Sequence, residues 1–165
     1  HPDFNGVVDD VIRLRDKYYP EAKVSVLTNA TRLHTPEVVE GLRKVDNNIL
    51  KLDSAIDDTV RIIDRPVGKN YTVADVVAGM KRFDGQWIVQ TMMLRGEHDG
   101  VRFENTTDSD MEALIDAYKE IAPKEVMLYS IDRKTPAEHL VKVGREELEM
   151  IAGRFREAGI CVQVS

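Results

Sequence analysis

The stretch "KLDS" puts Lys51, Asp53 and Ser54 within four residues of one another, and their types could do chemistry. A lysine and a carboxylate two apart in an extended strand project from the same face. Such a pair suits acid–base or Schiff-base catalysis. It suits ligand binding equally well, because a carboxylate accepts two hydrogen bonds in one plane from paired hydroxyls. It also has internal uses, Asp53 capping a following helix or neutralising Lys51. Asn29 and Gln90 offer amides at or within two further apolar stretches. Asn29 could contact a ligand or tolerate a left-handed turn; Gln90 could contact a ligand or hydrogen-bond within the fold. Metal chemistry has less support. The four histidines (His1, His34, His98, His139) show no ligand spacing. The one cysteine, Cys161, cannot supply the roughly four ligands of a zinc ribbon or iron–sulfur cluster.

Helical and strand patterns alternate along the 165 residues that position these groups. A helical stripe of Val7, Val8, Val11, Ile12 and Leu14 spans 4–19, and "KVSVLT" at 23–28 reads as a strand. Thr35 before Pro36 starts a helix, and "NILKLD" at 48–53 is a second strand. A helix from Ile56 stops before "RPVGKN", where Pro66 and Gly68 are breakers; a helix at 72–83 and a strand at 86–94 follow. The polar stretch "RGEHDGVRFENT" reads as a loop. Beyond it Thr107 and Asp110 form a capping box with the shorter acid. The strand "EVMLYS", a loop containing "RKTPAEHL", the helix "REELEMIAGRFREA" stopped by Gly159, and the strand "ICVQV" complete the chain. Strands separated by helices of this length predict an α/β fold with a parallel sheet and right-handed crossovers.

Strand parity goes further. Val24 and Val26 alternate with Ser25 and Asn29, Leu50 and Leu52 with Lys51 and Asp53, and Trp87 and Val89 with Gln86 and Gln90. A parallel sheet buried on both faces would read as continuous apolar runs. One face here is greasy and the other partly polar, as in a segment of a (β/α) barrel, whose working groups sit at the C-terminal strand ends.

Several stretches, in order, resemble the radical S-adenosylmethionine (radical SAM) superfamily, in particular the Fe–S oxidoreductases similar to the wyosine-synthesis enzyme. "HPDF" at 1–4 resembles the tail of that family's Gly-Glu-Pro turn, and "VSVLTNA" the strand that ends in Thr-Asn-Gly. "ILKLDSAIDDTVRIIDRP", "WIVQTMMLRG" and "EVMLYSIDRKTPAEHLVKV" are similar to the later strands and their loops. The resemblance implies a partial (β/α) barrel, the C-terminal portion of a (β/α)6 barrel, as a single domain over 1–165. It implies that the first strand, the CxxxCxxC cluster loop and the second strand lie upstream. It further implies S-adenosylmethionine and a [4Fe–4S] cluster in a parent enzyme, which would generate a 5'-deoxyadenosyl radical and abstract hydrogen. Asn29, Asp53, Ser54 and Gln90 would bind the cofactor. The fragment by itself would hold no cluster and be inactive. The substrate could be a small molecule, a peptide or RNA, and the cluster would need a reductant.

Net charge of -6 and the absence of a basic stripe argue against a free nucleic-acid module. No apolar run approaches the roughly 20 residues of a membrane span. One cysteine suits a reducing, cytoplasmic setting. An open barrel wall predicts that the fragment could dimerise. Two other functions compete: a (β/α)-barrel aldolase or isomerase using Lys51, and a binding domain without a cluster.

Overall fold

The computed structural model describes residues 1–67, 70–133, 135 and 139–165. Gly68, expected to break a helix, and much of the "RKTPAEHL" loop lie outside them. The elements run α1 (Phe4–Tyr18), β1 (Ser25–Thr28), α2 (Pro36–Lys44), β2 (Asn47–Lys51), α3 (Asp57–Ile63) and α4 (Val73–Met80). There follow a 3-10 turn (Lys81–Phe83), β3 (Ile88–His98), β4 (Val101–Glu104), α5 (Asp108–Ile121), β5 (Glu125–Ser130), β6 (Leu140–Lys142), α6 (Arg145–Glu157) and β7 (Val162–Val164). The starts expected at Thr35–Pro36 and Thr107 are where α2 and α5 begin, and the Thr107 hydroxyl accepts the Asp110 N–H at 3.1 Å.

Strand order is β1-β2-β3-β5-β7, all neighbours parallel, with β4 and β6 attached antiparallel to the far half of β3. This mostly parallel, helix-flanked sheet is the expected partial barrel. Val89, Leu50, Val126 and Leu128 are fully buried against side chains of α4, α5 and α6 such as Met80, Leu114, Tyr118 and Phe155. The other face is open. Ile49, Lys51, Ile88, Gln90, Met127 and Tyr129 are half-buried on it, and Leu27 is 58% exposed. Alternation therefore encodes the layering, apolar side chains leaving water on one side only.

Two expectations need correction. The stretch read as a polar loop is a β-hairpin: Arg95 pairs with Glu104 and His98 with Val101 across Asp99-Gly100. Both turn residues have positive φ (53° and 74°), the backbone of a type I′ turn, which an Asp-Gly pair favours. The helical stripe of α1 is also not wholly core. Val8 is buried and Ile12 half-buried, while Val7, Val11 and Leu14 are more than two-fifths exposed. The reason is position: β1 is the edge strand, so α1 has α2 to pack on and little beyond it. Among the described residues no helix is long and apolar enough to cross a membrane.

Candidate functional site

β2 ends in a knot of charge. Lys51 Nζ stands 2.8 Å from Asp53 Oδ2, and Asp53 is only 1% exposed. The other carboxylate oxygen of Asp53 accepts the Met92 N–H at 2.8 Å, fastening the chain after β2 to β3. Burial pushes Lys51 toward the neutral amine, but the charge of Asp53 and its hydrogen bond more than offset this, and the pKa of Lys51 is raised. Tyr129 reaches Lys51 from β5; burial raises its phenol despite the lysine's opposing charge.

Asp64, the residue after α3, lies against Asp53. Burial first, then the Asp53 charge and the hydrogen bond the two carboxyls share, push its pKa up to about 7, with Lys51 opposing. Tyr71 completes the cluster, its phenol pushed up to about 12 by burial and then by Asp64 and Asp53. The native state thus keeps a proton on Asp64 that an unfolded chain releases near 3.8. Stability from this site is full below 3.8 and is lost as pH rises to about 7. Replacing Asp64 with Asn keeps a donor for Asp53 and removes that slope. Because Asp64 is open to solvent on one side, which screens its charge, the effect is about 1 kcal/mol. Thermal melts from pH 4 to pH 8 should show the variant gaining on the parent toward high pH; parallel curves would refute the shared proton.

Ser54, fully buried, donates to Asp110 Oδ1 at 2.8 Å and accepts the Ile56 N–H at 3.0 Å, tying the start of α3 to the start of α5. Asn105, also fully buried, donates to the carbonyls of Asp53 (2.6 Å) and Met92 (2.7 Å) and accepts the Leu94 N–H (2.8 Å).

A cleft of about 1020 Å³ opens beside the cluster, and Asn29, Lys51, Asp64 and Tyr71 are among its walls. Asn29 Oδ1 accepts the N–H and hydroxyl of Thr31, and its Nδ2 donates to no described residue. The left-handed conformation falls on Ala30 (φ 60°) rather than on Asn29. Gln90 stands level with Lys51 and Met127 on the open face, its side chain unpartnered among the described residues. The fold therefore brings Asn29 and Lys51 into one cleft with Gln90 beside Lys51. Asp53 and Ser54 are turned inward onto protein groups. Of the two internal uses foreseen for Asp53, pairing with Lys51 is present and capping is not, since the N-cap of α3 is Ile56, with no side-chain cap. Asp64, Tyr71, Tyr129 and Asn105 had not been singled out. Parity places Tyr129 with Lys51's face, whereas nothing local marks Asn105. Cys161 is exposed just before β7, at the end of the parallel sheet opposite Lys51.

No protein-family model matches the chain. A GTPase Obg from Brachyspira hyodysenteriae is 24% identical over 152 residues, covering 90% of this chain and 21% of that protein. The chain thus spans about a fifth of that relative. Among solved structures it is similar to a radical SAM methyltransferase from Sphaerobacter thermophilus (TM-score 0.60, 16% identity, 96% of this chain, 56% of that one). It is also similar to a domain of a pyruvate-formate lyase-activating enzyme from Bacteroides vulgatus (TM-score 0.67, 10% identity, 99% and 94%). At these identities the likeness establishes the fold.

Proposed function

We propose that this chain forms the adenosyl-binding wall of a radical S-adenosylmethionine enzyme. The observation that carries the reading is the open sheet face near the C-terminal strand ends, where Asn29 Nδ2 and the Gln90 side chain, both without partners among the described residues, flank the Lys51–Asp53 pair. The ordered motifs, and a fold shared with a radical SAM methyltransferase, support it. Asn29 would donate to the cofactor through Nδ2, and Gln90 would donate and accept. Lys51 presents a fixed positive charge, and Asp53 acts through Lys51 by holding it. Ser54 sets the position of that strand end through Asp110.

The cofactor's chemistry is hydrogen abstraction by a 5'-deoxyadenosyl radical after one-electron reduction. The residues present do not fit a [4Fe–4S] cluster: one cysteine, exposed at the far end of the sheet, cannot provide its thiolates. The reductive step is therefore assigned to no residue of this chain, and alone it should not cleave S-adenosylmethionine. An aldolase reading fits less well, because Lys51 is held as an ammonium and a Schiff-base lysine must be a free amine. A GTPase reading has no phosphate-binding Gly-Lys-Ser/Thr sequence to rest on.

Calorimetric titration with S-adenosylmethionine tests the proposal. Binding that weakens about tenfold in Gln90→Ala, about 1.4 kcal/mol, is the expected result. A protein with intact circular dichroism that binds neither S-adenosylmethionine nor S-adenosylhomocysteine would end it.

A further inference from the structure

The cleft is larger than the Lys51 cluster needs, and its walls are cationic in an acidic protein. Arg32, Lys51, Arg65 and Arg82 line it against two carboxylates, Asp64 and Asp75, while the chain as a whole carries -6. Asp64 lies against Asp53, and Asp75 accepts the Thr72 hydroxyl at 2.6 Å while keeping its charge. Lys51 is matched by Asp53, so the three arginines outnumber the two carboxylates on these walls.

Arg82 is held in place by donating from Nη1 to the Leu33 carbonyl at 3.0 Å, with the rest of its fork free of described partners. The Arg32 side chain has no hydrogen-bond or ion-pair partner among the described residues, nor has that of His34 on the same wall. Arg65 has a 3.6 Å contact with the exposed Asp99 and a left-handed backbone (φ 46°), unusual for a side chain of its size. Guanidinium forks match the planar or tetrahedral oxygens of an oxyanion two at a time, which a lysine does not. The remaining wall is apolar and aromatic: Leu33, Pro66, Tyr71, Val76. A volume of about 1020 Å³ suits an organic molecule rather than a bare ion.

We infer that this cleft binds a phosphorylated organic molecule of about nucleotide size, its oxyanion on Arg32, Arg65 and Arg82 and its body against Tyr71 and Val76. The inference goes beyond the adenosyl reading, since it concerns an anionic ligand on the arginine side of a cleft whose other side, at Asn29 and Lys51, adjoins the adenosyl site.

Titration with 5'-AMP, adenosine and inorganic phosphate tests it, using Arg32→Gln, Arg32→Gln with Arg82→Gln, and Arg13→Gln as a control on exposed α1. Expected are AMP binding at least about tenfold tighter than adenosine, a loss of about tenfold in Arg32→Gln, a larger loss in the double variant, and weakening as salt rises. Arg32 is exposed, so its replacement should leave the fold intact. Equal affinity for AMP and adenosine, or an Arg32→Gln no different from Arg13→Gln, would overturn the inference. S-adenosylmethionine in the same series separates the two readings. If Arg32→Gln weakens AMP alone and Gln90→Ala weakens S-adenosylmethionine alone, both stand. If the two ligands exclude one another and both depend on Arg32, the cleft belongs to the adenosyl site and the second ligand falls.

Discussion

Asn105→Ala should lower the unfolding free energy by about 4 kcal/mol, the largest effect expected of any polar substitution near the site. Its amide serves three backbone groups at once, the carbonyls of Asp53 and Met92 and the N–H of Leu94, and none of them can turn to water in a fully buried position. Each buried polar group left unpaired costs about 1–3 kcal/mol. Asn105→Asp is no rescue, because a carboxylate has no N–H to donate and would set its charge against the two carbonyl oxygens. Urea denaturation is the measurement, with the midpoint falling and the slope unchanged. A loss under about 1 kcal/mol would mean that the three bonds carry little of the stability attributed to them.

The second large effect lies at the Lys51–Asp53 pair. Asp53→Ala removes the counter-charge of a half-buried ammonium and the acceptor of the Met92 N–H together, at an expected cost of about 3 kcal/mol. Asp53→Asn keeps that acceptor and should cost about half as much. Lys51→Met leaves a carboxylate at 1% exposure beside a second carboxyl, and its penalty depends on pH. With the ammonium gone, Asp64 retains its proton to higher pH, since Lys51 is the influence that lowers its pKa. The loss should therefore be smaller at pH 5 than at pH 8. Double-mutant cycles on Lys51→Met and Asp53→Asn should return a coupling above about 1 kcal/mol; strict additivity would show that the two groups do not depend on one another.

Much of this was legible before any coordinates. Period-two alternation in "NILKL" and "QWIVQ" gave the two faces of the sheet, because a strand has no other way to leave one side wet. The hairpin at 95–104 could also have been read: Asp99-Gly100 sits between alternating residues, and the polar composition hid it. Asp64 was harder. The stretch "IIDRP" reads as a helix end, and its carboxyl gains meaning only when Asp53, eleven positions earlier, folds against it. Asn105 left no local trace, since its partners Asp53 and Leu94 lie 52 and 11 residues away. Side chains that bind distant backbone obey no period, so pattern reading passes over them.

β3 has a double life with a consequence for how this chain can vary over time. Its first half lies between two parallel neighbours and its second half between two antiparallel ones, so eleven residues index four other strands. Insert or delete one residue near Val89, and Gln90 trades sides with its apolar neighbours in every downstream pairing. The hairpin tip at Asp99-Gly100 has no such duty. Lineages should lengthen, shorten or repaint that tip freely while leaving the spacing from Ile88 to Arg95 untouched.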